Sequence, residues 1–280
     1  MRAEAPARSE AAKEKEPKAD IGDPEHGRHN TGIFREVKWK LPRPGPCLPV
    51  MTITGDFDTR FRGGRALVIG STGAIGSALI DRFSKVMAVD ALSRRENGLD
   101  LTDEATVANW AGKLPGGYSI IFNATGALEI DHPPEKTIRA ITPENFAAQF
   151  ALNATGPALL LKHFEPLLAE GPSVFASLSA RVGSIGDNGI GGWIAYRAAK
   201  AAQNQVIRTA AIEIARKRKE AAVVALHPGT VQSDLTRKYL GRHKSVTPEE
   251  AAENLARVLA GLGPAQTGQF FDWAGEPVPW

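Results

Sequence analysis

ALVIGSTGAIG, residues 66–76, decides the fold: an unbroken apolar run ends on Gly70, and Gly73 and Gly76 follow at three-residue spacing before the helical pattern SALIDRF. A continuous Ala/Leu/Val/Ile run bounded by glycine reads as a strand buried on both faces, as in a parallel sheet. A glycine turn from such a strand into a helix lets backbone N–H groups and the helix N-terminus approach a pyrophosphate. Ser71 and Thr72 add hydroxyl donors inside the turn. The spacing G-x-x-G-x-x-G departs from the commoner dinucleotide fingerprint, and a turn whose glycines serve packing alone is the competing reading.

Outward from this turn the chain alternates. Strand patterns recur at VMAVDAL, YSIIFNA, SVFASLS, AAVVALHP and GQFFDWA. Helical patterns lie between them at EATVANWAGKL, PENFAAQFALNATGPALLLKHFEPLLAE, YRAAKAAQNQVIRTAAIEIARKR and TPEEAAENLARVLAGL. Strands separated by helices need crossover connections, so the expectation is α/β: a single doubly wound Rossmann-type domain over residues 61–280, with a parallel sheet and helices on both faces. Residues 1–60 read differently. Their Ala/Glu/Lys mixture lacks an apolar face and their proline-rich continuation breaks regular structure, so a disordered N-terminal extension is expected. Met51 opens MTITGDFDTR just before the first strand and is a candidate translation start.

Composition narrows the function classes. At 280 residues, 42% of them apolar, the chain can bury one sizeable core. Its net charge of +3 is small and its basic residues are interspersed with acids, so no nucleic-acid partner is expected. Cys47 is the single cysteine, which excludes an internal disulfide, and the histidines show no ligand spacing, so no metal site is expected. No apolar run approaches the about 20 residues of a membrane span and no signal-peptide stretch opens the chain. A cytoplasmic protein without a membrane partner follows as the expectation.

WIAYRAAK places Tyr196 and Lys200 one helical turn apart. On one helix face, the ammonium is expected to hold the phenol more acidic than its unperturbed pKa of about 10. At the end of the second strand pattern, an acid binds the adenosine ribose and repels a 2′-phosphate, whereas an arginine beside a small hydroxyl attracts it. VMAVDALSRRE offers Asp90 and then Ser93, Arg94 and Arg95. A helix of ordinary length after Gly76 puts the strand end near Ser93 and Arg94, which favours NADP, with NAD possible.

From about Ala66 to the C-terminus the chain resembles the short-chain dehydrogenase/reductase family. The resemblance is carried by Gly70-Ser71-Thr72-Gly73-Ala74-Ile75-Gly76, the Asn123-Ala124-Thr125-Gly126 run, FALNATGP, LSARVGSIGDNGIGGWIAYRAAKAAQNQ and ALHPGTVQSDL. The last two runs are similar to the C-factor-like or carbonyl-reductase-like branch. What the resemblance implies is a nicotinamide-dependent oxidoreductase acting on a carbonyl or secondary alcohol. Tyr196 would be its general acid/base. Lys200 would bind the nicotinamide ribose and Asn153 would position water for proton transfer. Gly70, Ser71, Thr72, Gly73, Ile75 and Gly76 would hold the cofactor's phosphates, and Asp100 and Leu101 its adenine. Asn123, Ala124, Thr125 and Gly126 would pack beside it, and Pro228, Gly229, Val231 and Ser233 would line the nicotinamide.

The family's serine, which bonds substrate carbonyl and tyrosine, stands three residues before a glycine. Here Gly183 is that glycine and Ala180 occupies the place; Ser179 is chosen over Ser184 as the catalytic hydroxyl. SDLTRKYLGRHKS resembles a segment that in the family is often a mobile substrate lid; its Arg237, Lys238, Arg242 and Lys244 would suit an anionic substrate, with a solvated loop as the competing reading. The family also implies a homo-oligomer, dimer or tetramer. A cofactor-bound regulatory or signalling protein with little turnover is the alternative that the displaced serine leaves open. A nucleotide-sugar epimerase shares the glycine spacing, but the chain is short for the added substrate domain.

Overall fold

The computed structural model describes residues 55–239 and 244–280. The strands β1 (Arg65–Ile69), β2 (Ala88–Leu92), β3 (Ile120–Asn123), β4 (Ser173–Leu178), β5 (Ala221–His227) and β6 (Phe270–Asp272) form one sheet in the order β2-β1-β3-β4-β5-β6. Every neighbouring pair is parallel. β1, β3 and β4 are apolar almost throughout because both faces are covered.

Two cores follow from strand alternation. On one face Ala66 and Val68 pack with Phe122, Val224 and Leu226. This face is covered by α1 (Phe57–Phe61), α2 (Ala74–Phe83) and α8 (Pro248–Gly261). On the other, Leu67, Ile69, Ile121 and Val223 meet α4 (Glu104–Lys113), α6 (Gly156–Phe164) and α7 (Ile194–Lys217). The short α3 (Arg94–Asn97) follows β2, and α5 (Pro143–Phe150) lies against α7. The strand order reverses between β1 and β3, so their carboxyl ends open a crevice at a topological switch point.

Two local expectations change. The boundary expected at residues 60/61 falls inside α1, whose Phe57 and Phe61 are buried against Phe83. Asp56 caps this helix by accepting from Thr59 N at 2.8 Å, a start signal hidden in a polar stretch. The expectations for residues 1–54, Met51 included, lie outside the described residues. The helix expected from Pro143 onward is not uniform: α5 gives way at Ala151–Thr155 to a π-helical turn before α6 resumes. A π turn widens the helix by one residue and often accompanies a functional side chain; here the turn holds Asn153.

Candidate active site

The glycine turn links β1 to α2 at the switch point. Gly70 takes φ +88°, and the N–H groups of Gly70 and Ser71 donate to Leu92 O at 2.8 and 3.1 Å, tying the turn to the end of β2. A β-carbon on Gly76 would stand 2.1 Å from Gly70 O, so the first turn of α2 packs against the glycine backbone only because no side chain intervenes. Ile75 faces the core beside it. Gly73 begins α2 without a side-chain cap, and the buried Ser71 Oγ has no hydrogen-bond partner among the described residues. An uncapped helix N-terminus beside an orphaned hydroxyl is a donor set with nothing to donate to, and it fits a dinucleotide's phosphates. Thr72 lies half-buried in the same turn.

The adenosine end lies at the end of β2. Ser93 caps α3 by accepting from Glu96 N at 3.2 Å, and Arg94 and Arg95 are exposed immediately after it. Asp90 is mid-strand. Its carboxylate is bound by Arg65 at 3.0 Å and by the Tyr118 hydroxyl at 2.7 Å, which takes it out of contention for a ribose. Asp100 accepts from Thr102 N and Oγ1 at 2.9 and 2.7 Å, and these bonds hold its carboxyl below the usual range. Leu101 is buried against Gly156.

At the other end two side chains, Asn153 and Lys200, converge on Gly126. A β-carbon there would stand 3.0 Å from Asn153 Oδ1 and 3.1 Å from Lys200 Nζ. Asn153 is locked: its Nδ2 donates to Ala127 O and Gln149 Oε1, and its Oδ1 accepts from Ala127 N. Lys200 is buried and donates to Leu178 O at 3.1 Å and Gln203 Oε1 at 2.8 Å. Its ammonium lies 5.8 Å from the ring centroid of Tyr196. Gln203 in turn donates to Ser177 Oγ at 2.9 Å, which accepts from Asn123 Nδ2 at 2.8 Å, and Asn123 Oδ1 receives Thr125 N and Oγ1. Ala124 continues the strand end, its N–H donating to Ile69 O.

The electrostatics correct one expectation. Burial raises the Tyr196 phenol well above its ordinary pKa, and the same burial pushes Lys200 down to about 7. With both groups desolvated and Lys200 bound to neutral carbonyls, its charge does not acidify the phenol here. A phenol that stays protonated is the form able to donate a proton.

Ser179 follows β4, and its hydroxyl donates to Asn204 Oδ1 at 2.6 Å rather than to Tyr196. Ser184 Oγ accepts from Asp187 N at 3.1 Å. Ala180 is half-buried at the intervening strand end. After β5, Pro228 and Gly229 turn the chain, Val231 is buried in a bridge to Val246, and Ser233 N donates to Thr236 Oγ1. Arg237 pairs with Asp234 and Lys238 with Glu129, while Arg242 lies outside the described residues. Among the described residues no helix is long and apolar enough to cross a membrane, and no three His, Cys, Asp or Glu side chains cluster as metal ligands.

Ser177 and Gln203 are among the polar residues that sequence reading missed. Gln203 stands three residues after Lys200, a spacing that shares a helix face and was the available signal. Ser177 carried none, lying inside an apolar strand.

A parallel sheet with a glycine turn at its switch point and a buried Tyr-Lys pair at its carboxyl edge defines a class of nicotinamide-dependent oxidoreductase. A family model described as enoyl-(acyl carrier protein) reductase matches residues 80–262, and the chain belongs to the short-chain dehydrogenase/reductase family. It is 32% identical to 1-hydroxy-2-glutathionyl-2-methyl-3-butene dehydrogenase of a Rhodococcus species, over 66% of this chain and 80% of that protein. It is 36% identical to C-signal of Myxococcus xanthus, over 49% of this chain and 79% of that protein. The solved carbonyl reductase Sniffer of Drosophila melanogaster shares the fold with a TM-score of 0.68 at 20% identity, over 78% of this chain and all of that one. NADPH-bound carbonyl reductase from chicken fatty liver does so with a TM-score of 0.66 at 21% identity, over 84% of this chain and all of that one.

Proposed function

We propose that this chain is an NADP-dependent carbonyl reductase in which Tyr196 delivers the proton. The convergence of Asn153 and Lys200 on Gly126, beside Tyr196 at the start of α7, carries the reading. When bound, the nicotinamide cofactor supplies the hydride for carbonyl reduction. Ser71, the Gly73 helix start and Thr72 would hold its phosphates, Ser93 and Arg94 a 2′-phosphate, Asp100 and Leu101 the adenine, and Pro228 to Ser233 its carboxamide. Lys200 would hold the nicotinamide ribose, and Asn153 would fix the backbone around the Gly126 opening. The protonated phenol of Tyr196 is suited to meeting a developing alkoxide. The NADPH-bound neighbour and the exposed Arg94 support the cofactor choice. Ser179 is the candidate hydroxyl for the substrate carbonyl, and it must leave Asn204 to serve.

Tyr196→Phe is expected to bind NADPH as the wild type does and to lose about a hundredfold or more in kcat towards benzaldehyde or phenylglyoxal. Unchanged turnover would remove Tyr196 from the chemistry. NADPH should raise the melting temperature more than NADH at equal concentration, by mass action on the folded state. Equal or reversed shifts discard the Ser93–Arg94 assignment. One observation favours a second reading, a cofactor-bound protein with little turnover: Ala180 stands in the serine place and the Ser179 hydroxyl is committed to Asn204. NADPH binding with no reduction of either carbonyl would select it.

A further inference from the structure

The helix that carries Tyr196 starts without a cap of its own. Asp56, Ser93, Asp103, Thr142 and Thr247 each cap the helix they precede through a side-chain oxygen. The residue before α7 is Trp193, with no side-chain cap and φ +52°, a left-handed backbone rarely adopted by so bulky a residue. Such a conformation persists when its surroundings over-determine it. Among those surroundings is Glu135, on the loop between β3 and α5.

Glu135 is buried, 3% exposed, and each of its acceptor groups is used. Its backbone carbonyl receives Trp193 N at 2.6 Å. Its Oε2 receives Ala195 N at 3.2 Å, supplying the missing cap from 60 residues away. Its Oε1 receives Asn145 Nδ2 at 2.6 Å, anchoring the carboxylate to α5. A negative charge at a helix N-terminus is also favoured by the helix dipole. One buried side chain therefore ties the β3–α5 loop, α5 and the first turn of α7 together, one residue before Tyr196.

We infer that Glu135 is a positioning residue for Tyr196: it fixes the strained entry of α7 and so the place of the phenol in the crevice. The inference rests on the acid/base reading of Tyr196. Its chemistry requires an acceptor at Ala195 N rather than a charge as such. A glutamine would keep that acceptor, and its amide N–H would meet Asn145 Oδ1, which is buried without a hydrogen bond at present, once the Asn145 amide turns over.

The test uses the full chain with NADPH and benzaldehyde or phenylglyoxal. Glu135→Ala should lower kcat by about tenfold or more, as expected for a misplaced reacting group, with NADPH affinity within about threefold of wild type. Glu135→Gln should restore kcat to within about threefold of wild type. Glu135→Asp, which retracts the carboxylate by one methylene, should fall between them and takes the place of the alanine variant if that fails to fold. Wild-type kcat in both Glu135→Ala and Glu135→Asp overturns the inference, as does a loss in Glu135→Gln equal to that in Glu135→Ala, or a loss confined to NADPH affinity. Tyr196→Phe separates the two claims: if it retains turnover, the reading of Tyr196 fails and this inference with it. If it loses turnover while the Glu135 variants do not, only this inference fails. A wild type that reduces neither carbonyl removes both.

Discussion

At the scale of single residues, Lys200 is governed by what it touches. A cation between Leu178 O and Gln203 Oε1 has dipoles for partners and no counter-charge, which is why burial brings its pKa to about 7. If the charged form holds the ribose, activity should fall as pH rises through that region. Gln203→Glu puts a carboxylate where the 2.8 Å contact now is and should move the alkaline limb of the kcat/KM profile upward by about one pH unit or more. An unmoved limb would show that Gln203 does not set the state of Lys200. The same burial bears on stability with a definite sign. A lysine whose folded pKa lies below its unfolded value destabilises most at low pH, and this cost fades as pH rises from about 7 towards the ordinary lysine pKa of 10.5. Tyr196 and Lys200 were legible as two residue types at helical spacing, whereas Asn153 was named only through the family resemblance. Glu135 was not, because its partners lie on α5 and α7 and only the folded chain brings them together.

At the scale of elements, the amphipathic and apolar runs were legible and the irregularities were not. The six strand patterns all became strands, since a parallel sheet leaves an uninterrupted apolar signature. The π turn at Ala151–Thr155 escaped because its sequence, ALNAT, is ordinary helix and the extra residue per turn is imposed by the bonds of Asn153 to Ala127. Helix α1 escaped because five residues are too few for periodicity to register. Its contribution is measurable: Phe57 stacks on Phe83 at 5.1 Å and Arg82 lies 4.8 Å above its ring. Phe57→Ala should lower unfolding free energy by about 3–5 kcal/mol in urea denaturation. An unchanged midpoint would show that the ordered domain does not depend on α1.

At the scale of the whole molecule, the sheet order puts the two halves of the proposed dinucleotide site on opposite sides of the β1–β3 switch, with Ser93 and Arg94 after β2 on one side and Lys200 and Tyr196 on α7 on the other. The chain's alternation announced this architecture, because a glycine turn after a doubly covered strand has few other uses. Which strand face each polar residue takes was the harder matter. Ser177 in β4 and Ser179, one residue beyond its end, both face α7 and are consumed there by Gln203 and Asn204. The polar row running from Thr125 through Asn123, Ser177 and Gln203 to Lys200 has a further consequence. Carboxamides neither gain nor lose protons near neutral pH, so Gln203 and Asn123 make that row an insulator. It sets spacing between β3, β4 and α7 and conducts nothing, so under the proposed mechanism the proton that replaces one given up by the phenol has to reach it by a route other than this row.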